Sequence, residues 1–150
     1  MNHILTSINS VLLFFCTLTT SFAQKDLTPP LPSSIVYVDA LNDLPSPQNG
    51  VITLNSAKVY IISGSVDIGQ NSINLNGAGL RGLDPGKDRI LSATKGAVLR
   101  SQDVDVYLEK VCVIPLSNVT TAYDFEDNTG TKTLNLLAGN SVVEAPRVSS

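Results

Sequence analysis

Three carboxylates in one short run are the residues of this chain best suited to chemistry. Asp124 and Glu126 alternate with Tyr123 and Phe125 in YDFEDN, and Asp127 follows directly. If the two aromatic residues face a core, alternation along a strand places Asp124 and Glu126 on the outer face, ~7 Å apart. Carboxylate oxygens suit calcium, so all three are candidate calcium ligands if a neighbouring strand supplies more. The alternative, which the sequence favours, is a solvated outer face followed by an acidic turn.

Histidine chemistry is excluded if the N-terminal segment is removed, as we predict below. His3 is the only histidine, and it lies in that segment. The remaining chain would lack Ser-His-Asp and Cys-His systems and histidine-based zinc motifs. Carboxylates, lysines and arginines are then the groups left for catalysis.

A second charged group surrounds the predicted turn DPGKDR. Its members alternate in sign and are Arg81, Asp84, Lys87, Asp88 and Arg89. Contact with an anionic sugar is one interpretation. Interleaved opposite charges on a turn are typical of soluble surface, so we interpret this group as solvated.

The first 23 residues read as a secretory signal peptide. Val11 to Thr20 (VLLFFCTLTT) is apolar but too short to span a bilayer, and Ser21-Phe22-Ala23 is a small-x-small cleavage pattern. The segment before Val11 lacks the usual lysine or arginine, and a buried N-terminal helix is the alternative. We predict cleavage after Ala23, with the product secreted, periplasmic or on the cell surface and without a membrane span.

Composition limits the partners of the processed chain. A net charge of −3 with mixed signs gives no basic surface for nucleic acid. Cys112 becomes the only cysteine, so an intrachain disulfide is impossible and stability must come from packing. Because Cys112 lies between Val111 and Val113 in an apolar run, we expect it to be a buried small hydrophobe.

The processed chain divides into a leader and one domain. Residues 24–34 are rich in proline and serine, which predicts an extended leader. Residues 35–150 form the predicted β-domain. Its first part, 35–50, is a predicted N-terminal cap in which Leu41 and Leu44 close the end of a stack, before the turn signal Asn49-Gly50.

Short β-rich runs closed by Gly, Asn or Asp recur along this domain. Such strands bury their apolar side chains by stacking into a solenoid. An offset of 30 residues would place Val106 over Leu136, Leu108 over Ala138 and Val113 over Val143, and an offset of 25 would align Ala97-Val98 with Ala122-Tyr123. The unequal spacing favours an irregular β-helix over a β-sandwich, which gives similar runs. The runs are Val51 to Leu54, Val59 to Ile68, Ile73 to Asn76, Ala97 to Ser101, Val104 to Ile114, Ala122 to Asp127 and Thr133 to Val143.

Much of the chain also resembles a known group of proteins. The similar residues run from Asp39 to Leu83 (DALNDLPSPQNGVITLNSAKVYIISGSVDIGQNSINLNGAGLRGL), with GAVLRS at Gly96 and AYDF at Ala122. They resemble poorly characterised right-handed parallel β-helix proteins of pectate-lyase-like architecture, which occur among bacterial exported proteins and in phage particles. The resemblance implies an all-β fold but little chemistry, because this architecture hosts lyases, hydrolases, tailspikes and adhesins. Its lyases use carboxylate-bound calcium and its hydrolases use paired carboxylates.

We therefore expect a right-handed parallel β-helix of about four to five coils. As it stands it would be a non-catalytic module with a structural role or a role in recognising a polysaccharide or another surface glycan. The alternatives are the N-terminal part of a polysaccharide lyase or glycoside hydrolase, and a phage-type receptor-binding fragment. Glu144 to Ser150 is too short and polar to cover a last coil. This predicts either a longer solenoid truncated at its C-terminal end or end-to-end self-association.

Overall fold

The structure is a computed structural model that describes residues 34–137, with the backbone alone for 135–137. The predicted signal peptide, its cleavage site at Ala23, the leader up to Ser33 and the tail from Ala138 lie outside the described residues. The described part contains short strands and one 3-10 helix, Leu41–Asp43. The strands are β1 (Ser34–Val38), β2 (Val51–Thr53), β3 (Lys58–Ile62), β4 (Ser65–Asp67), β5 (Ser72–Asn74), β6 (Gly79–Gly82), β7 (Arg89–Ser92), β8 (Ala97–Gln102), β9 (Val106–Glu109), β10 (Cys112–Pro115), β11 (Thr121–Glu126) and β12 (Leu134–Leu137).

The strands stack into three sheets, and successive strands of the chain move from one sheet to the next. Sheet A has the order β1-β3-β6-β9-β12, sheet B has β2-β5-β8-β11, and sheet C has β4-β7-β10. Every pairing between named strands is parallel. This confirms the predicted solenoid, with about four coils, and excludes the β-sandwich, whose sheets are antiparallel.

The core lies inside the coils and is built from stacked aliphatic side chains. In sheet B, Ile52 pairs with Ile73 and Ile73 with Leu99, and all three are fully buried. Sheet A contributes Leu80 over Leu108, both 1% exposed. Each fully buried side chain of this size contributes about 1.5–3 kcal/mol relative to exposure. The stack thus supplies the burial that no single short strand could provide.

Several local expectations are confirmed. Cys112 is buried with Val111 and Val113 on either side. Val106 and Leu108 are also interior residues. None of the helical structure among residues 34–137 is long and apolar enough to cross a membrane.

The N-terminal turn is held by a carboxylate rather than by apolar contacts alone. Asp43 accepts hydrogen bonds from the backbone N–H groups of Asp39, at 3.1 Å, and Ala40, at 3.0 Å. These hydrogen bonds lower the pKa of Asp43. Leu44 is buried, and Leu41 packs against the core.

The predicted register between coils is wrong in detail. Leu136 pairs with Leu108 rather than with Val106, so Leu108 does not pair with Ala138. This slip of two residues keeps the same face of the strand, because side chains alternate with a period of two. Val143 and the side chain of Leu136 lie outside the described residues.

The second register error is of one residue. Ala97 pairs with Thr121, so that Tyr123 lies beside Leu99. The repeated letters Ala97-Val98 and Ala122-Tyr123 therefore do not mark equivalent positions. Register follows the continuous inward row of sheet B rather than local similarity.

Two strands, β6 and β7, were not predicted because neither sequence is a β-rich apolar run. The segment from Asn76 to Gly79 (NGAG) has the composition of a turn, but only Asn76 and Gly77 have positive φ, and Gly79 begins β6. A Cβ at Gly79 would lie 2.9 Å from Val59 Cγ2 on the adjacent strand. A glycine inside a strand thus marks a close approach between coils. The other missed strand is β7, whose sequence RILS is short and begins with a charge.

A polar defect in the core leads to a stability prediction. Ser101 is 5% exposed, and within the described residues its Oγ is buried without a hydrogen-bond partner. Because an unpaired buried hydroxyl opposes folding, we expect Ser101→Ala to raise the free energy of unfolding by about 1 kcal/mol. Urea denaturation would measure this change.

The same substitution at Ser92 is the matched control. Ser92 is fully buried, and its Oγ donates to the backbone oxygen of Asn71 at 2.7 Å and accepts from Thr94 N–H at 3.1 Å. Ser92→Ala should therefore lower stability by about 1–2 kcal/mol. A loss of similar size in both variants would contradict the assignment of Ser101 as unpaired.

Candidate functional site

The outer face of sheet B carries a row of polar side chains in register. Thr53 pairs with Asn74, Asn74 with Arg100, and Arg100 with Asp124. Neighbouring strands lie ~4.8 Å apart, so the row presents a new polar group at that interval across the coils. Parallel stacking of sheet B positions these residues, although they are far apart in sequence.

Two adjoining depressions follow this face. One, of about 130 Å³, is bordered by Asn74, Gln102 and Glu126. The other, of about 510 Å³, is bordered by the turns that enter sheet B, including Gln70 and Lys95. Both depressions share three residues, so we treat them as one feature, the sheet B groove. The shared residues are Val51, Arg100 and Asp124.

An ion pair that is open to solvent lies where the two depressions meet. Arg100 Nε is 3.9 Å from Asp124 Oδ2, and the two side chains are 51% and 61% exposed. A pair at this distance and exposure contributes at most about 1 kcal/mol to stability. Both groups can therefore turn toward a ligand at little cost to the fold.

Sheet A carries a tighter pair that serves as a comparison. Arg81 Nε lies 3.2 Å from Glu109 Oε2, and Glu109 is only 24% exposed. Arg81 and Glu109 are on paired strands, β6 and β9, just as Arg100 and Asp124 are on β8 and β11. Arg81 and Arg100 therefore each lie beside a carboxylate of the adjacent strand, but on the faces of two different sheets.

The three candidate calcium ligands differ in their surroundings, although Glu126 and Asp127 also border a common depression. Asp124 and Glu126 border the groove, with Tyr123 and Phe125 packed against the core as the sequence predicts. The carboxylate of Asp127 instead caps the turn that follows β11. The described residues contain no group of three His, Cys, Asp or Glu side chains placed to hold a metal ion.

Asp127 has a structural task in that turn. Its oxygens accept hydrogen bonds from the Thr129 hydroxyl at 2.6 Å and from the backbone N–H groups of Lys132 and Gly130, at 2.8 Å and 2.9 Å. The Thr129 hydroxyl and these N–H groups lower the pKa of Asp127 to about 2. The Asp127 carboxylate therefore holds the turn that follows β11.

The charged group around DPGKDR was interpreted as solvated, and for Asp88 this is wrong. Asp88 is 6% exposed. Lys87 remains a surface residue, with its Nζ 3.1 Å from Asp84 Oδ2. Asp88 turns inward because backbone N–H groups surround its carboxylate, and one of these donors, Gly64, lies 24 residues away in sequence.

The aromatic residues of the described part differ widely in burial. Tyr60 is buried, but Tyr37 is 68% exposed on the outer side of β1, beside Ile35 at 53%. In the run IVYV both faces of the strand are apolar, so alternation could not identify the outward one. Neither Tyr37 nor Ile35 borders the sheet B groove.

Sequence reasoning missed most of the groove. Asn74 lies on β5, whereas Arg100 and Gln102 lie on β8, and neither strand alone indicates a binding site. The sequence indicates only that these residues face outward, because polar residues alternate with inward ones, as Asn74 does with Ile73 and Arg100 with Leu99. Correct inter-coil register was required to bring them together, and the predicted offsets were wrong.

Comparisons with known proteins do not identify a family for this chain. No protein-family model matches the chain. Searches of the curated proteins and of the solved structures found no significant match. The fold therefore rests on the observed strand pairing, and the resemblance to pectate-lyase-like proteins stays a prediction from sequence.

Proposed function

We propose that this solenoid is a recognition module that binds a carbohydrate polymer along the sheet B groove. The observation that carries the proposal is the in-register row Asn74, Arg100 and Asp124, which crosses the coils within one polar groove. A polymer lying across the strands would meet another polar side chain every ~4.8 Å. That arrangement suits an extended chain better than a compact ligand.

The chemistry of the lining supports a carbohydrate in particular. Sugar hydroxyls both donate and accept hydrogen bonds, and the groove offers donors and acceptors side by side. Arg100 is a donor, Asp124 and Glu126 are acceptors, and Asn74 and Gln102 are both. Apolar ligands would leave these groups desolvated without partners.

The expected test of the groove is the substitution Arg100→Ala. Because it removes a charged donor from the centre of the groove, affinity for the bound glycan should fall at least tenfold, an effect of about 1.4 kcal/mol. A glycan array would identify the ligand, and isothermal titration calorimetry would compare the variants.

Arg81→Ala is the matched control, because it makes the same change on the sheet A face. It should leave affinity within about twofold of the wild type. Equal losses in both variants would show that the effect is not specific to the groove.

A glycoside hydrolase is the second candidate. Asp124 and Glu126 are two residues apart on β11, which separates them by ~7 Å, within the range used by inverting hydrolases. The wide exposure of Asp124 favours binding over catalysis, since catalytic carboxyl groups are usually shielded from bulk water. Release of reducing ends from the bound polymer, abolished by Glu126→Gln, would favour the hydrolase.

Action outside the cytoplasm is part of the proposal and depends on residues 1–23. The predicted signal peptide supports export. N-terminal sequencing of the exported protein should begin at Gln24, and a protein retained at full length inside the cell would contradict this prediction.

A further inference from the structure

The sheet B groove carries equal numbers of opposite charges. Lys95 and Arg100 are its basic residues, and Asp124 and Glu126 are its acidic ones. Arg100 lies on β8 and Lys95 just before it, whereas Asp124 and Glu126 lie on β11, the next strand of sheet B. A ligand lying across the coils must therefore contact both signs.

The centre of the groove favours a group that donates and accepts at once. Arg100 Nε and Asp124 Oδ2 are 3.9 Å apart, close to the limit for direct contact. A hydroxyl bound between them can accept from the guanidinium and donate to the carboxylate. A ligand carboxylate would be attracted by Arg100 but repelled by Asp124. A ligand ammonium group would be attracted by Asp124 but repelled by Arg100.

A ligand that carries a charge on every sugar would be repelled at more than one position of the groove. A polyanion with one carboxylate per sugar would place a negative charge beside each of Asp124 and Glu126 as well as beside Arg100 and Lys95. The two attractions and two repulsions would largely cancel, while every charge would still lose hydration. An uncharged glycan avoids both the repulsion and the larger desolvation cost.

We propose that the sheet B groove selects an uncharged, hydroxyl-rich glycan and that Asp124 and Glu126 exclude acidic polysaccharides. This inference rests on the proposed function and specifies the ligand class of the same groove. Its distinctive consequence is a gain of binding: neutralising the two carboxylates should admit acidic polymers that the wild type rejects.

The test compares hexasaccharides of matched length by calorimetry. The probes are neutral hexamers of glucose, xylose, mannose and galactose, with hexagalacturonate as the acidic probe and a glucosamine hexamer as the cationic one. Wild-type protein should bind a neutral hexamer at least tenfold more tightly than either charged probe. Because no ion pair forms between protein and ligand, the neutral affinity should change less than about twofold as salt rises from ~0.05 to ~0.5 M.

The double variant Asp124→Asn with Glu126→Gln supplies the decisive comparison. Both side chains are exposed and both replacements nearly preserve shape, so the fold should be retained. Hexagalacturonate should bind this variant at least fivefold more tightly than the wild type. In the matched variant Arg81→Ala, binding of the acidic probe should stay at the wild-type level.

The possible failures are distinguishable. Tighter wild-type binding of a charged hexamer than of any neutral one, lost in Arg100→Ala, would overturn the inference about ligand class and leave the groove as the binding site. The absence of a gain in the double variant would overturn the assigned role of the two carboxylates. Binding that Arg100→Ala does not weaken, or no binding of any hexamer, would overturn the proposed function and this inference together.

Discussion

Replacing Asp88 by alanine is expected to destabilise the solenoid by about 3 kcal/mol, because its buried carboxylate holds two coils together. Asp88 Oδ1 accepts from the N–H of Gly64 at 2.8 Å, and Oδ2 accepts from the N–H groups of Leu83 and Asp84 at 2.6 Å and 2.7 Å. Gly64 belongs to the preceding coil. Without the carboxylate, three partly buried donors lose their partner at once, and chemical denaturation should show the loss.

The control for Asp88 is Asp67→Ala. Asp67 is exposed, and its carboxylate accepts from the nearby N–H of Gly69 at 2.8 Å. This variant should lose less than about 1 kcal/mol. Comparable losses at Asp67 and Asp88 would contradict the role of Asp88 as a link between coils.

The contribution of Asp88 should also depend on pH. Burial alone raises the pKa of Asp88, but the backbone N–H groups of Asp84, Gly64 and Leu83 lower it by more, so the pKa lies below its ordinary value. A lowered pKa in the folded state stabilises the fold at pH values above the ordinary pKa of 3.8, and this stabilisation is lost as the pH falls through the lower pKa of the folded state. The stability difference between the wild type and Asp88→Asn should therefore narrow below pH ~4.

Replacing Gly82 by alanine should cost about 3 kcal/mol or more, because no room exists for a methyl group. A Cβ at Gly82 would lie 2.1 Å from the backbone oxygen of Lys110 and 2.9 Å from Asp88 Cβ. The first of these atoms belongs to the backbone of the next coil and cannot rotate away. Thermal unfolding of Gly82→Ala should show a large drop in Tm.

Gly96→Ala separates this steric effect from a general effect of losing glycine. A Cβ at Gly96 would meet nothing within 4 Å, and its φ is not positive. Stability should stay within about 0.5 kcal/mol of the wild type. Similar Tm values for Gly82→Ala and Gly96→Ala would show that the coils separate more easily than the structure indicates.

The fold class was predictable because it depends on features that each strand carries locally. Runs such as Val51 to Thr53 and Val106 to Glu109 alternate inward and outward residues and end in turns. Inter-coil register was not predictable, because turns of unequal length separate the strands. The error between Ala97 and Ala122 shows how a repeated dipeptide misleads when packing in the inward row decides the alignment.

The candidate site was predictable only in its local part. Alternation placed Asp124 and Glu126 outward, since both lie on one strand. Arg100 could join them only once its pairing with Asp124 was known. The burial of Asp88 was not predicted for a related reason, because one of its hydrogen-bond donors, Gly64, comes from another coil.

The central claim is that a glycan lies on the outer face of sheet B. The most direct measurement is a titration of the labelled protein with the tightest-binding neutral hexasaccharide, followed by amide and side-chain NMR shifts. The account predicts the largest changes at Asn74, Arg100, Gln102 and Asp124, with little change at Arg81. Changes centred instead on exposed Tyr37 and Ile35 of sheet A would contradict it.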